Sequence, residues 1–351
     1  MDKFIVAIIS FFVTLSVTPI AIKLAKSNGW VDIPNKRKIH SVPMPRTGGI
    51  GIFAGIAAGL LVAFAYQHSV WILWLLAIAS LISFMGFWDD VKGLSFKIKF
   101  LFQIVGAILA IWLVGVNIPD IANPFFHTKL NFGIFGPVVT LIWIVGITNA
   151  INLSDGLDGL AAGLSAISAL TLAVTSARVN VSAALVALAV FSSAVGFLRY
   201  NFHPAKTFMG DTGSQLLGFT LAVISIKGAS LSASTLSLAI PLLAIGIPIL
   251  DTTYAFIRRM VRKGNPFLPD KMHIHHQLLN IGFSHTGAVL FMYAVSGTLA
   301  VIAMTFRGKH ELTLLASYSI IAIALLAFLK VMRVRISRSK GGTKNGKNVK
   351  S

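Results

Sequence analysis

The sequence predicts an all-α, polytopic integral membrane protein of about eleven transmembrane helices, with its active-site loops at one membrane face. Three observations lead there. First, 56% of the 351 residues are hydrophobic and only 12% are charged, with a mean hydropathy of +0.82; a soluble domain carries roughly 25% charged residues. Second, apolar windows recur from end to end, each near the ~20 residues that cross a ~30 Å hydrocarbon core as a helix. Third, 24 of the 30 Lys and Arg residues fall on one side of the alternating loops that these windows define. Only Lys3, Lys129, Arg178, Lys227, Arg307 and Lys309 fall on the other. This is the positive-inside pattern. It accounts for the net charge of +19 without a nucleic-acid partner, places the N-terminus outside and puts the C-terminus in the cytoplasm. The chain has no cysteine, which excludes disulfide and thiol chemistry.

The first window, 4–24, lacks a strongly basic start and a small-residue cleavage pattern, so it is expected to be a retained helix. The loop after it, "VDIPNKRKIHSVPMPRTGG", sets Arg37, Lys38 and Arg46 among prolines, as contacts for a bound anion or for lipid headgroups. Windows 48–66 and 70–88 follow, the second running into "GFWDDVKG". Adjacent carboxylates repel, and one pKa rises unless a cation is near. Asp89 and Asp90 therefore suit a metal site, a split between binding and proton acceptance, or a helix cap.

After window 100–116, window 136–152 leads into "NAINLSDGLDGLAAG", residues 149–163. Asn149, Asn152, Asp155 and Asp158 are three residues apart, which keeps them roughly on one face of a helical or 3₁₀ stretch. Gly156, Gly159 and Gly163 break that stretch between two apolar windows. Irregular backbone at a membrane boundary is tolerated where it lines a cavity.

Windows 160–177 and 182–198 precede "YNFHPAKTFMGDTGSQLLGF", where Asp211 lies between Gly210 and Gly213 just before window 214–231. Thr212 or Ser214 is the expected cap. Amides at that helix start favour phosphate, and a hard carboxylate beside them favours Mg²⁺. Asn201 and Phe208 offer an amide and an aromatic face.

Window 236–257 contains Asp251, and the basic loop after it carries "PDKMHIHHQLL" with His273, His275 and His276. Without cysteine or an obvious partner histidine, these fit a phosphate-binding role better than a structural zinc site. Windows 286–305 and 312–329 complete a single domain over 1–331. Residues 332–351 form a basic Gly/Lys/Asn-rich tail, expected to be disordered near anionic headgroups.

Of the 11 acidic residues, Asp2, Asp120 and Glu311 fall on the outer side, and the other eight fall in cytoplasmic loops or at cytoplasmic helix ends. Aspartate at a bilayer centre costs roughly 2.5–3.5 kcal/mol on insertion scales, so acids beside apolar spans tend to mark function. Asp89, Asp90, Asp155, Asp158 and Asp211, with Lys and His nearby, call for a divalent cation and an anionic substrate. That is the chemistry of phosphoryl transfer, and the surrounding apolar helices suggest that one substrate is a lipid. A cation-coupled transporter is the rival. Its site would lie near the bilayer midplane within repeats, whereas these acids gather at one face and no motif recurs.

The motifs DD (89–90), NAxNxxDGxDGLAxG (149–163), FMGDxGS (208–214) and HIHH (273–276) resemble, in order and spacing, the polyprenyl-phosphate N-acetylhexosamine-1-phosphate transferase family. The likeness runs from about residue 28 to 330, and the HIHH form is most similar to the N-acetylglucosamine (WecA/TagO) branch. It implies a multi-pass enzyme of the bacterial cytoplasmic membrane, at the first membrane step of cell-envelope polysaccharide synthesis, such as O-antigen or teichoic acid. Undecaprenyl phosphate would attack UDP-N-acetylglucosamine to give undecaprenyl-diphosphate-GlcNAc and UMP, with Mg²⁺ or Mn²⁺ required. Another UDP-N-acetylhexosamine, such as the MurNAc-pentapeptide form, is the alternative donor, and a homodimer stays open. By resemblance, Asp211 is the principal metal ligand, assisted by Asp89 and Asp90, which also position or deprotonate the lipid phosphate. Asn149, Asn152, Asp155 and Asp158 face the nucleotide-sugar, with Asp155 and Asp158 counted among the catalytic carboxylates. Asn201 and Phe208 contact the uridine. Lys99 faces the phosphates, Arg46 binds substrate, and His273, His275 and His276 hold the sugar or diphosphate. Asp251 also resembles the N-acetylglucosamine branch, without an implied role.

Overall fold

The computed structural model describes residues 2–33, 43–123, 128–229, 239–261, 273–305 and 316–332. Arg37, Lys38, Asp270 and nearly all of the basic tail lie outside these residues. Thirteen helices are described: α1 (Asp2–Asn28), α2 (Gly48–Gln67), α3 (Trp71–Lys92), α4 (Phe96–Leu109), α5 (Gly136–Ser154), α6 (Leu160–Ser176), α7 (Val181–Asn201), α8 (Gly210–Ala229), α9 (Ala239–Ala244), α10 (Gly246–Val261), α11 (Ile274–Asn280), α12 (His285–Thr305) and α13 (Ala316–Met332). A π-helical stretch, Ala110–Val114, continues α4.

Among the described residues, seven helical segments are long and apolar enough to cross a membrane. Each of the eleven sequence windows overlaps a helix, but α6 and α13 are shorter than these seven. The window 236–257 is broken at Ile245 into α9 and α10. Helix α8 carries Asp211, Ser214 and Gln215 in its first turns, which lowers its hydropathy, and it packs inside the bundle. Two small antiparallel ribbons were not expected: Val31–Asp32 with Met44–Pro45, and Asp120–Asn123 with Thr128–Asn131. They are too short to leave an alternating pattern in the sequence.

The bundle is built outward from α8, whose side chains are buried almost all round, as expected of a helix without a solvent or lipid face. It packs against α2, α3, α5, α6 and α7. Small residues allow these close crossings. A Cβ at Gly86 of α3 would meet the Thr212 backbone at 2.6 Å, and one at Gly218 of α8 would meet Thr148 of α5 at 2.7 Å. These contacts bring the ends of α3 and α5 to the start of α8, where the acids lie. Helix α1 is inverted relative to a soluble helix: Phe4, Ile8, Phe12 and Ile20 point outward, while Ser10, Thr14 and Thr18 are buried. A second apolar cluster joins Leu157 and Leu160 to residues of α9 through α13 and seats α11.

Candidate active site

Helix α3 ends in Asp89 and Asp90 beside the first turn of α8. Asp90 accepts hydrogen bonds from the Asp211 amide (2.8 Å), the Thr212 amide (3.0 Å) and the Thr212 hydroxyl (2.6 Å). The cap of α8 is therefore a carboxylate from another helix. The sequence expectation of Thr212 or Ser214 is corrected: Thr212 donates to Asp90, and the Ser214 hydroxyl donates to the Gly210 carbonyl at 2.9 Å. The Asp211 and Thr212 amides are occupied and do not form the phosphate cradle that the sequence suggested. Gly210 permits this approach, since it has φ +64° and a side chain there would collide with the Asp90 carboxylate and the Arg46 carbonyl. A negative charge at a helix N-terminus is favourable in itself.

Lys99, in the first turn of α4, bridges two of the acids. Its Nζ donates to Asp211 Oδ2 at 2.9 Å and to Asp89 Oδ2 at 3.1 Å. Asp89 also accepts the Leu94 amide at 2.6 Å. Asp211 accepts from Gln215 Nε2 (2.7 Å) and Asn152 Nδ2 (3.2 Å). Behind it an amide chain continues: Gln103 Nε2 donates to Gln215 Oε1 at 3.1 Å, and Asn149 Nδ2 donates to Gln103 Oε1 at 2.7 Å. Gln103 and Gln215 were missed from sequence. The available signal was a pair of amides inside otherwise apolar windows.

Helix α5 stops at Ser154, and residues 155–159 turn. The expected single face thus extends only over Asn149 and Asn152; the turn re-aims Asp155 and Asp158. Asn201 Oδ1 accepts the Gly159 amide at 3.0 Å, while its Nδ2 donates to the Thr207 carbonyl at 2.9 Å. Its amide group thus ties two loops together. Asp158 accepts the Ala205 amide at 3.1 Å and pairs with His203 Nδ1 at 2.8 Å. The Asp155 carboxylate has no hydrogen-bond donor among the described residues. Burial, then the charges of Asp211, Asp90 and Asp158, push it up to about 8. Such a carboxylate takes up a proton or a cation.

The loop before α2 pairs with the loop before α8 through its backbone. The Phe208 amide donates to Pro45 O (2.9 Å), and the Gly48 and Gly49 amides donate to Phe208 O and Met209 O (both 3.0 Å). This fixes Phe208 and Arg46, whose guanidinium forms an ion pair with Asp32. In the HIHH turn, the His273 and His275 rings are buried and His276 is half-buried.

These elements enclose a cavity of about 670 Å³. Asp89, Asp90, Asp155, Asp158 and Asp211 all line it, as do Arg46, Asn152, Asn201, Phe208 and His276. Lys99, Asn149, His273 and His275 are not on its wall. Carboxylate oxygens of Asp89, Asp90 and Asp211 lie within 4.8 Å of one another, a hard oxygen set that fits Mg²⁺ or Mn²⁺. Asp158, His203 and His285 form a second group of the same compactness.

Residues 71–229, which include the DD, Asn-Asp and FMGD motifs, match the glycosyl transferase family 4 model. A probable undecaprenyl-phosphate N-acetylglucosaminyl 1-phosphate transferase of Bacillus subtilis (strain 168) is 41% identical over 95% of this chain and 92% of its own length. The chain belongs to the polyprenyl-phosphate N-acetylhexosamine-1-phosphate transferase family. Other members show the same full-length agreement. A decaprenyl-phosphate N-acetylglucosaminephosphotransferase of Mycolicibacterium smegmatis is 32% identical over 93% of this chain and 87% of its own. An undecaprenyl-phosphate alpha-N-acetylglucosaminyl 1-phosphate transferase of Yersinia pestis is 32% identical over 91% and 87%.

Proposed function

We propose that this chain transfers N-acetylglucosamine 1-phosphate from UDP-N-acetylglucosamine to undecaprenyl phosphate, releasing UMP. The observation that carries the reading is convergence: five aspartates from three separate motifs line one cavity in a chain that matches transferases of this name along nearly their whole length. The Lys and Arg asymmetry supports a cavity open to the cytoplasm, within one membrane domain of eleven crossings over 1–331 and a basic cytoplasmic tail over 332–351.

In this reading an oxygen of the lipid phosphate forms a bond to the β-phosphorus of the donor. The bond from that phosphorus to the bridging oxygen breaks, and UMP leaves with the electron pair. Asp89, Asp90 and Asp211 would hold Mg²⁺ or Mn²⁺, which would neutralise charge developing on the diphosphate. Lys99 keeps Asp89 and Asp211 together and offsets their mutual repulsion. Both oxygens of Asp90 serve the α8 cap and both of Asp89 accept from Leu94 and Lys99, so the proton of the lipid phosphate would pass to Asp89 or Asp90 through a further lone pair. That demand is small, because a phosphate monoester has a second pKa near 6. Asn152, Asp155 and Asp158 line the donor side, with Phe208 offering a face to the uracil and His276 a hydrogen bond to the sugar or diphosphate.

The test is UMP release by purified protein in detergent from UDP-N-acetylglucosamine and Mg²⁺, with and without undecaprenyl phosphate, beside Asp211→Asn. Lipid-dependent release that collapses in the variant supports the reading. Release only from another UDP-amino sugar would change the donor and keep the reaction. Exchange of UMP into donor without lipid would replace direct attack by a covalent intermediate.

A further inference from the structure

Asp251 is an acid for which the reaction above has no use. It lies in the second turn of α10, is 2% exposed, and is not on the cavity wall. A carboxylate so buried is costly unless its oxygens are satisfied. Here they are satisfied by the HIHH turn. Asp251 Oδ1 accepts the Ile274 amide at 2.8 Å, and Oδ2 pairs with His273 Nδ1 at 3.2 Å. His275 Nδ1 stands 3.9 Å from the same Oδ2. The three rings form a series: His273 and His275 are nearly parallel with centroids 5.8 Å apart, and His276 follows at 4.3 Å. His275 is 1% exposed, and neither ring nitrogen has a hydrogen-bond partner among the described residues. Its imidazole fills the place a Cβ would take at Gly156, between Asp155 and Leu157. Only His276 of the three reaches the cavity.

We propose that Asp251 is a positioning residue for the transfer. It clamps the start of α11 to α10, wedges His275 against Gly156, and so holds His276 on the cavity wall. The device parallels Asp90 at α8: a carboxylate from one helix receives the first amide of another, here the Ile274 amide alone. This role rests on the transferase reading for its effect on turnover, but not for its effect on the turn.

Two measurements on the full-length protein in detergent test it. The first is diethyl pyrocarbonate modification of the histidines, read by mass spectrometry. In the wild type His276 reacts while His273 and His275 are protected. In Asp251→Ala both become reactive at least about 10-fold faster, and His203 keeps its rate. Asp251→Asn, which can still accept the Ile274 amide, lies between. Unchanged protection in both variants overturns the clamp, whatever the activity.

The second is a kinetic cycle of UMP release with Asp251→Ala, His276→Ala and the double variant. Asp251→Ala lowers kcat/KM for the donor by roughly 10–100-fold, the range of outer supports elsewhere. KM for the lipid stays constant, and the double variant is no worse than His276→Ala alone. Should the alanine variant not fold, Asp251→Asn takes its place in both assays. Additive losses, or a freed turn with wild-type turnover, overturn the positioning role. Failure of the wild type to release UMP from any donor removes the transferase reading instead, and the modification pattern still decides the clamp.

Discussion

Asp90 holds the helix that carries Asp211: its Oδ1 accepts the Asp211 backbone amide at 2.8 Å across 121 residues of chain. The two acids of the DD pair therefore do different work. Asp90 fixes the start of α8, whereas Asp89 faces Lys99 and the cavity. Alanine at either position is expected to lower UMP release by roughly 100-fold or more, the scale of removing one preorganised electrostatic group. Asp90→Ala should also lower stability, by about 1 kcal/mol or somewhat more, as loss of a helix cap does. Unfolding midpoints in detergent check this. A midpoint of Asp90→Ala equal to that of the wild type would show that the cap carries no stability.

The amide chain behind Asp211 sets its orientation. Gln215 donates to Asp211 Oδ2 and is itself held by Gln103. Removing such an outer partner typically costs 10–100-fold in metal affinity. Gln215→Ala is therefore expected to raise the Mg²⁺ concentration for half-maximal UMP release by roughly 10–100-fold, with near-normal turnover at saturating Mg²⁺. Gln103→Ala should show a smaller shift in the same direction. Chelation by EDTA should abolish release in every variant and Mg²⁺ should restore it. A fall in turnover with no change in the Mg²⁺ titration would assign Gln215 to substrate rather than to metal.

The sequence showed where the acids gather because a carboxylate beside an apolar span is costly and stands out at once. Asp89, Asp90, Asp155, Asp158 and Asp211 were all legible for that reason, and all five line the cavity. What each oxygen binds was not legible. Asp90 and Thr212 are far apart in the chain, and nothing local marks one as the cap of the other. Asn149 and Asn201, expected as substrate contacts, each also hold internal partners through their amides, and Asn201 lines the cavity as well. Both roles need an amide near a glycine-rich turn, so composition alone does not separate them. The three histidines likewise looked equivalent, and only the packing of α11 on α10 distinguishes the one on the cavity wall.

Gly86 sets the spacing between the DD pair and Asp211. A Cβ there would meet the Thr212 α-carbon and amide at 2.6 Å, so Gly86→Ala must push α3 from α8. Overpacking of this kind costs about 1–3 kcal/mol. It also moves Asp90 off the α8 amides. The expected outcome is a folded protein with a lowered unfolding midpoint and strongly reduced UMP release. Gly146→Ala on α5 is the matched control, since nothing lies within 4 Å of its Cβ position, and it should retain both properties. Wild-type release from Gly86→Ala would show that the helix spacing is not set at this crossing.

Acid and base act on the metal-free site through two groups of opposite sign, the buried His275 and the half-buried Asp155. Burial pushes His275 down to about 3 from 6.5, so the folded protein keeps it neutral. The unfolded chain binds a proton there below pH 6.5, and the stability contributed by neutral His275 is lost as pH falls from 6.5 toward 3. Asp155 runs the other way: its folded value, about 8 against 3.8, means the folded form holds a proton that the unfolded chain releases. Its contribution is full below pH 3.8 and is lost as pH rises from 3.8 through 8. Between about pH 4 and 6.5 the two slopes oppose and nearly cancel, each being at most about 1.4 kcal/mol per pH unit. With EDTA present, Asp155→Asn should remove the decline between pH 6.5 and 8. It should also uncover a rise in unfolding midpoint from pH 4 to 6.5, which His275→Leu then abolishes. If Asp155→Asn leaves the pH dependence of the midpoint unchanged, Asp155 is ionised in the metal-free site and the charges around it are offset by other groups.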